Sequence, residues 1–295
     1  MSKLFVSFFA ILIVSTFGSC GARQQKNASD AADNSEKTEQ NEAFATERIS
    51  FAAPTDSNQI VSRITIDWPT NDDALSDGVR QHINDRLAQL VPPLVSDEQP
   101  AQRYAGNLRD ANAMMTFYAN ISADYLQNEI DEMLAMELPV DEPLAYEIKI
   151  LKTDEAAHYI TYTANVYSYL GGAHPSCIGS TANISKLTNS ALTLTVDTAH
   201  TAELQPILRQ GVLHYLYECG DSTATLQTLD DYLLLDGAPI PVPAFAPYLA
   251  SDGVHFVYQQ YEIAPYAMGM PAFVVDYETI KPYLTPEARQ LVVDY

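Results

Sequence analysis

The sequence predicts an α+β fold built on a mainly antiparallel sheet. Helical and strand patterns come in blocks instead of strict alternation, the strand patterns have two distinguishable faces, and each helical stretch carries one apolar stripe. Two closely packed subdomains, 46–189 and 190–295, are expected, because no stretch of linker-like composition separates the halves.

The chain begins with Lys3 and the apolar run Leu4 to Val14, closed by small residues and Cys20. The run is shorter than the roughly twenty apolar residues that cross a bilayer, and it has the plan of an export signal. A cysteine at the cleavage point fits a lipobox. Residues 1–20 therefore read as a lipoprotein signal, with Cys20 the lipidated first residue of the mature chain; an ordinary secretory signal cut near Cys20 is the alternative. Either route leads out of the cytoplasm, and the expected location is the bacterial cell envelope, periplasmic or surface, with a lipid anchor in the membrane. Gly21 to Ala45 is rich in Gln, Asn, Ser, Asp and Glu and reads as a disordered tether with a reach of about 25 to 30 Å.

Ile60, Ser62, Ile64 and Ile66 alternate with Val61, Arg63, Thr65 and Asp67, which predicts the first long strand, ended by Pro69. Asn71 or Asp72 is placed to cap the next helix, where Val79, Ile83, Leu87, Leu90 and Val91 recur at helical spacing before Pro92-Pro93. A longer helical region, Pro100 to Met136, carries Leu108, Met115, Tyr118, Ile121, Tyr125, Ile130, Met133 and Leu134 and forms one helix or two. Strands follow at Leu144 to Lys152 and His158 to Leu170. The second has Ile160, Tyr162, Ala164 and Val166 on one face and Tyr159, Thr161, Thr163, Asn165, Tyr167 and Tyr169 on the other.

Gly171-Gly172 releases the chain into a turn, so Ile178 to Leu187 is expected to return as a strand with His174 and Pro175 at the hairpin tip. Leu192 to Val196 reads as a short strand, Thr201 to Tyr217 and Thr223 to Leu234 as helices, and Gly237 with Pro239, Pro241, Pro243 and Pro247 as a stiff connector. Val254, Phe256 and Tyr258 mark a strand, and Ala272 to Tyr277 another. Between them Ala264 to Pro271 has a proline at each end and many apolar groups, which suits an ordered recognition loop. A terminal helix is expected over Glu287 to Tyr295.

The net charge of −22 excludes nucleic acid as a partner, since nothing would neutralise phosphates, and favours basic partners. Apart from Cys20 the cysteines are Cys177 and Cys219, which form either one disulfide or two separate buried thiols. Two cysteines are too few for a metal site, and no metal or other cofactor is expected. Hydrolase elbows, zinc-protease helices, phosphate loops and dinucleotide fingerprints are absent from the sequence.

Gln260-Tyr261-Glu262-Ile263-Ala264-Pro265-Tyr266-Ala267-Met268-Gly269 resembles a signature of the extracytoplasmic domain shared by the lysozyme-sensing anti-sigma factor RsiV and the non-catalytic region of the peptidoglycan deacetylase PdaC. Tyr167-Ser168-Tyr169-Leu170-Gly171-Gly172-Ala173-His174-Pro175 resembles the second signature, in the same order. The resemblance implies a binding or sensing module whose partner is a basic protein such as lysozyme, or a peptidoglycan fragment. It does not transfer anti-sigma activity or deacetylation, because the sigma-binding segment and the catalytic domain are not in this sequence. The expected binding surface is Tyr169, His174, His255, Tyr261, Glu262, Pro265, Tyr266 and Met268. The enzymatic alternative is a hydrolase of an envelope substrate using His174 and Glu262 as an acid–base pair.

Overall fold

In the computed structural model of the chain, the residues described are 43–54, 58–92 and 102–293. The signal segment, Cys20 and all but the last three residues of the expected tether lie outside them.

A six-stranded sheet runs in the order β1 (Thr46–Ala52), β2 (Ile60–Pro69), β3 (Leu144–Glu155), β4 (Tyr159–Tyr169), β5 (Ser176–Ser185), β6 (Ser190–Ala191). Every pairing is antiparallel except β2 with β3. That parallel pair needs a crossover, and α1 (Ala74–Leu90) and α2 (Ala111–Ala135) supply it. Both helices cover one face of the sheet. Val79, Ile83 and Leu87 of α1 and Met115, Tyr118 and Leu126 of α2 are buried in one core with Ile64, Ile66, Ile148, Ile150, Ile160 and Tyr162.

The second half is a smaller layer: α3 (Thr201–Glu218) against the three-stranded sheet β7 (Tyr248–Ala250), β8 (Gly253–Val257), β9 (Ala272–Val275), followed by the short helices α4 (Tyr277–Ile280) and α5 (Pro286–Leu291). Its own core gathers Leu204, Leu208 and Val212 with Val254, Phe256 and Phe273. Gly211 makes this packing possible, since a Cβ there would lie 2.3 Å from the Phe273 ring. Contacts hold residues 41–295 as one compact unit. The join lies on the far face of β4 and β5, where Tyr159, Thr161, Asn183 and Ser185 are buried and Tyr159 belongs to the second core.

Several expectations change. Phe44, inside the stretch read as tether, is buried: its N–H donates to Glu155 and its carbonyl accepts from Lys152 Nζ at 2.8 Å. Strand β1 was not anticipated, because an edge strand with one exposed face shows only weak alternation. The cap of α1 is Asp73, whose carboxylate accepts from Ser76 N at 2.7 Å, while Asp72 turns to Arg80 and Arg109. In the described part of the region read as Pro100 to Met136, residues 102–136, a single helix forms after Asp110, and Leu134 on it is exposed.

Leu192 to Val196 is no strand, apart from one bridge from Val196 to Leu284. Thr223 to Leu234 is no α-helix either; only a 3-10 turn, Leu229–Tyr232, forms. Asp221 accepts from both N–H and hydroxyl of Thr223, and Thr225 and Thr228 bond each other's backbone, so local side-chain hydrogen bonds replace the helical ones. The terminal helix stops at Leu291.

Candidate functional site

The β4–β5 hairpin and the loop between β8 and β9 meet at one end of the molecule. At the hairpin tip His174 is exposed and its Nδ1–H donates to the carbonyl of Pro175 at 3.0 Å. The same carbonyl accepts from the Tyr266 hydroxyl at 3.1 Å. That pair of bonds brings the His174 and Tyr266 rings into a stack, centroids 3.8 Å apart at 22°. Tyr261 leans toward the other side of the group, 5.8 Å from Tyr266, with its own side chain 57% exposed. The result is an aromatic lip assembled from sequence-distant residues.

The loop that carries the lip is stiff. Gln259 O accepts from Glu262 N at 3.1 Å, closing a turn whose third residue, Tyr261, has φ 65°. Glu262 reinforces it from both sides, one carboxylate oxygen accepting from Gln259 N at 2.7 Å and the other from Ala244 N at 2.6 Å. Further on, Pro265 is exposed and leads into a 3-10 turn, Tyr266–Met268. Met268 packs against the second core, and its carbonyl accepts from the Tyr215 hydroxyl at 2.6 Å.

Beside Tyr261 lies a cleft of about 520 Å³ between the two halves, walled by Leu90, Cys177, Ile178 and Phe245. Gln89, Ser176, Gln259, Gln260 and Tyr261 give it its polar groups. The edge of β5 that borders it is already closed. Gln260 Oε1 accepts from Cys177 N at 3.1 Å, and Gln259 takes Gly179 N at 2.9 Å while donating to Gly179 O at 2.7 Å. Burial pushes the Cys177 thiol up, which lowers its thiolate fraction. Cys177 and Cys219 are both free thiols.

Of the eight residues expected at the site, His174, Tyr261 and Tyr266 come together as ring contacts, and Glu262, Pro265 and Met268 shape their loop. His255 is elsewhere in role: Nε2 faces Asp252 at 2.7 Å and Nδ1 faces the Tyr248 hydroxyl at 3.2 Å. Tyr169 ends β4 opposite Ala145. The acid–base pairing of His174 with Glu262 does not form, since both carboxylate oxygens serve backbone N–H groups and the imidazole is taken by Tyr266 and Pro175. Reasoning from sequence missed Gln89, Ser176, Phe245, Gln259 and Gln260. Only the Gln-Gln pair just after the alternating strand could have hinted at an edge closed by side chains. Among the described residues no cluster of metal-ligating side chains occurs and no helix is long and apolar enough to cross a membrane.

Residues 225–278, which hold β7, β8, the lip loop and β9, match the family model described as Protein of unknown function (DUF3298). A solved structure of a DUF3298 family member from Bacteroides fragilis is similar to this chain with a TM-score of 0.59 at 18% identity, over 84% of this chain and 96% of that one. A DUF3298 family protein from Pseudomonas aeruginosa gives a TM-score of 0.52 at 13% identity, over 83% of this chain and 96% of that one. No curated protein matches. The shared fold and the matched segment support a DUF3298-type domain here.

Proposed function

We propose that this protein is a non-enzymatic binding or sensing module of the bacterial cell envelope, held to the membrane through Cys20 and receiving its ligand, a basic protein or a cell-wall glycan, at the aromatic lip. The observation that carries the reading is the ring group of exposed Tyr261 and His174 with half-buried Tyr266, beside a cleft. Aromatic side chains add large contact area at little cost in conformational freedom, and a lip already fixed by hydrogen bonds loses less entropy on binding. The net charge of −22 supports electrostatic attraction of a basic partner. Export and lipidation draw support from the leader pattern around Lys3 to Cys20.

Binding of the full chain to lysozyme and to peptidoglycan fragments, measured beside Tyr266→Ala, tests the reading. Loss of at least tenfold in affinity for one ligand, about 1.4 kcal/mol, is expected in the variant. Equal binding by both proteins removes the lip from the site, and ligand turnover abolished by His174→Ala would make the protein an enzyme instead.

A further inference from the structure

The cleft beside the lip also points to the chemistry of what it holds, an inference that rests on the binding reading above. We propose that the cleft between the end of α1, the start of β5 and Gln259–Tyr261 takes an uncharged, polyhydroxylated ligand, one or more residues of a neutral saccharide, with the Tyr261 ring as its stacking face.

Charge is the first argument. In a chain with net charge −22, the described residues that line a cleft of about 520 Å³ include no carboxylate, lysine or arginine. The neighbouring cation, Arg86, is engaged: its guanidinium lies 5.9 Å from the Phe245 ring centroid and donates to Gln89 Oε1 at 3.2 Å. Among the described residues a cationic ligand finds no carboxylate partner there, and the guanidinium an anionic one would meet is already engaged. Either would give up hydration without compensation.

The polar groups that remain are neutral and unfilled. Gln260 uses Oε1 on Cys177 N, Gln89 uses Oε1 on Arg86, and among the described residues neither side-chain amide nitrogen has a hydrogen-bond partner. Among the described residues the hydroxyls of Ser176 and Tyr261 have no protein partner. A purely hydrocarbon ligand would desolvate these donors and leave them unpaired, whereas sugar hydroxyls both donate and accept. An aromatic face complements the weakly positive C–H bonds of a pyranose ring through its negative π-cloud, and Tyr261 is 57% exposed for that contact.

An extended peptide is the competing neutral occupant, and the geometry disfavours it. A peptide strand would need the free edge of β5, but Cys177 N and both backbone groups of Gly179 are already bonded to Gln260 and Gln259. The volume falls in the range of small-ligand sites, about 300 to 1,000 Å³.

The test is calorimetric titration of the full chain with chitotetraose and cellotetraose as neutral probes, with the fully deacetylated, cationic form of chitotetraose, and with lysozyme. At least one neutral tetrasaccharide is expected to bind, and the cationic form at least tenfold more weakly than its acetylated parent. Gln260→Glu keeps the acceptor for Cys177 N and replaces the free donor with a negative charge; it should weaken the neutral probe roughly tenfold. Tyr261→Phe should keep most of the binding and Tyr261→Ala lose it, with thermal melting confirming that each variant folds. Unaltered binding in Gln260→Glu, or a cationic probe bound as tightly as the neutral one, overturns the assignment. If neither neutral probe binds at millimolar concentration while lysozyme binds and Tyr266→Ala weakens it, the saccharide assignment falls and the lip reading stands; if nothing binds, both fall.

Discussion

The side-chain amide of Gln259 imitates a strand residue toward Gly179, accepting from its N–H at 2.9 Å and donating to its carbonyl at 2.7 Å. Asn183 does the reverse from the other half, accepting from Leu249 N at 2.7 Å and donating to Leu249 O at 2.9 Å. Two primary amides thus join the halves where, among the described residues, no strand pairing does, and each leaves a backbone N–H and C=O stranded if removed. Asn183 is buried, and its amide also donates to Thr161 Oγ1 at 3.0 Å. Asn183→Ala should therefore cost about 2 to 4 kcal/mol in urea unfolding and Gln259→Ala about 1 to 3. Losses below about 0.5 kcal/mol in both would mean that the amides are not holding the halves together.

Gly211→Ala gives a prediction that runs against helix propensity. Alanine in an exposed helix interior would be favoured over glycine by about 1 kcal/mol. Here the added methyl would stand 2.3 to 2.4 Å from three Phe273 ring atoms, so α3 would have to leave β9 or the ring would have to leave its rotamer. We expect a net loss of about 1 to 3 kcal/mol. Phe273→Leu in the same chain should recover part of it, a non-additivity that a double-mutant cycle reads directly.

How much of this was legible follows the strength of local pattern. The inner faces of β2, β3 and β4 and the stripes of α1 and α3 could be read because burial on one face alone dictates their periodicity. β1 and β7 could not, because strands this short or this exposed carry almost no face of their own and are specified by their partners. The helical reading of Thr223 to Leu234 failed because the hydroxyl and carboxylate bonds that overrode it depend on short-range geometry and not on periodicity. At the site, aromatic residues in the two signatures were visible, but the cleft was not: Gln89 and Phe245 come from segments remote from both, and only the packing of the halves brings them beside Gln260. Glu262 read as chemistry because a carboxylate beside tyrosines invites it; its real employment on two backbone amides needs the turn to be seen.

Acid should weaken the fold through His82. Burial in α1, with Arg86 nearby, pushes its imidazole from 6.5 down to about 3. Below pH 6.5 the unfolded chain takes up a proton that the folded chain refuses, so stability is full above that value and declines toward pH 3, by at most about 1.4 kcal/mol per pH unit. Glu155 acts in the same direction at lower pH. Burial alone would raise its carboxyl, but hydrogen bonds from Lys152, Lys186 and Phe44 N outweigh that and hold it below the usual range. Its stabilisation is present above the ordinary carboxylate value and lost as pH falls through the depressed one. The fall in urea midpoint between about pH 7 and 5 should be shallower in His82→Gln than in the parent. Equal slopes would show that His82 is not held neutral by burial.

The two thiols of the folded body should differ in rate. Cys219 is exposed at the end of α3, whereas Cys177 is half-buried and its thiol is raised by burial, which lowers its thiolate fraction. In a Cys20→Ser chain, a thiol reagent at neutral pH should give a fast phase that Cys219→Ser removes and a slow phase that Cys177→Ser removes. Finding no reactive thiol until the protein is reduced and unfolded would mean that a disulfide joins them.

Tyr261 sits at φ 65°, a left-handed conformation that costs an ordinary side chain roughly 1 to 2 kcal/mol, yet its ring is 57% exposed and adds little to the core. A fold selected for stability alone would place asparagine or glycine at this turn position. Strain kept at an exposed aromatic is what a binding surface requires, because the turn aims the ring outward beside Tyr266. Tyr261→Asn should therefore raise the unfolding free energy by about 0.5 to 1 kcal/mol while weakening ligand binding at the lip at least tenfold. Asparagine is the informative choice over glycine, since it tolerates the left-handed region without the extra freedom glycine gives the unfolded chain. A Tyr261→Asn protein that is less stable than its parent would assign the ring to packing, and the opposite movement of stability and binding is what separates a recognition residue from a structural one.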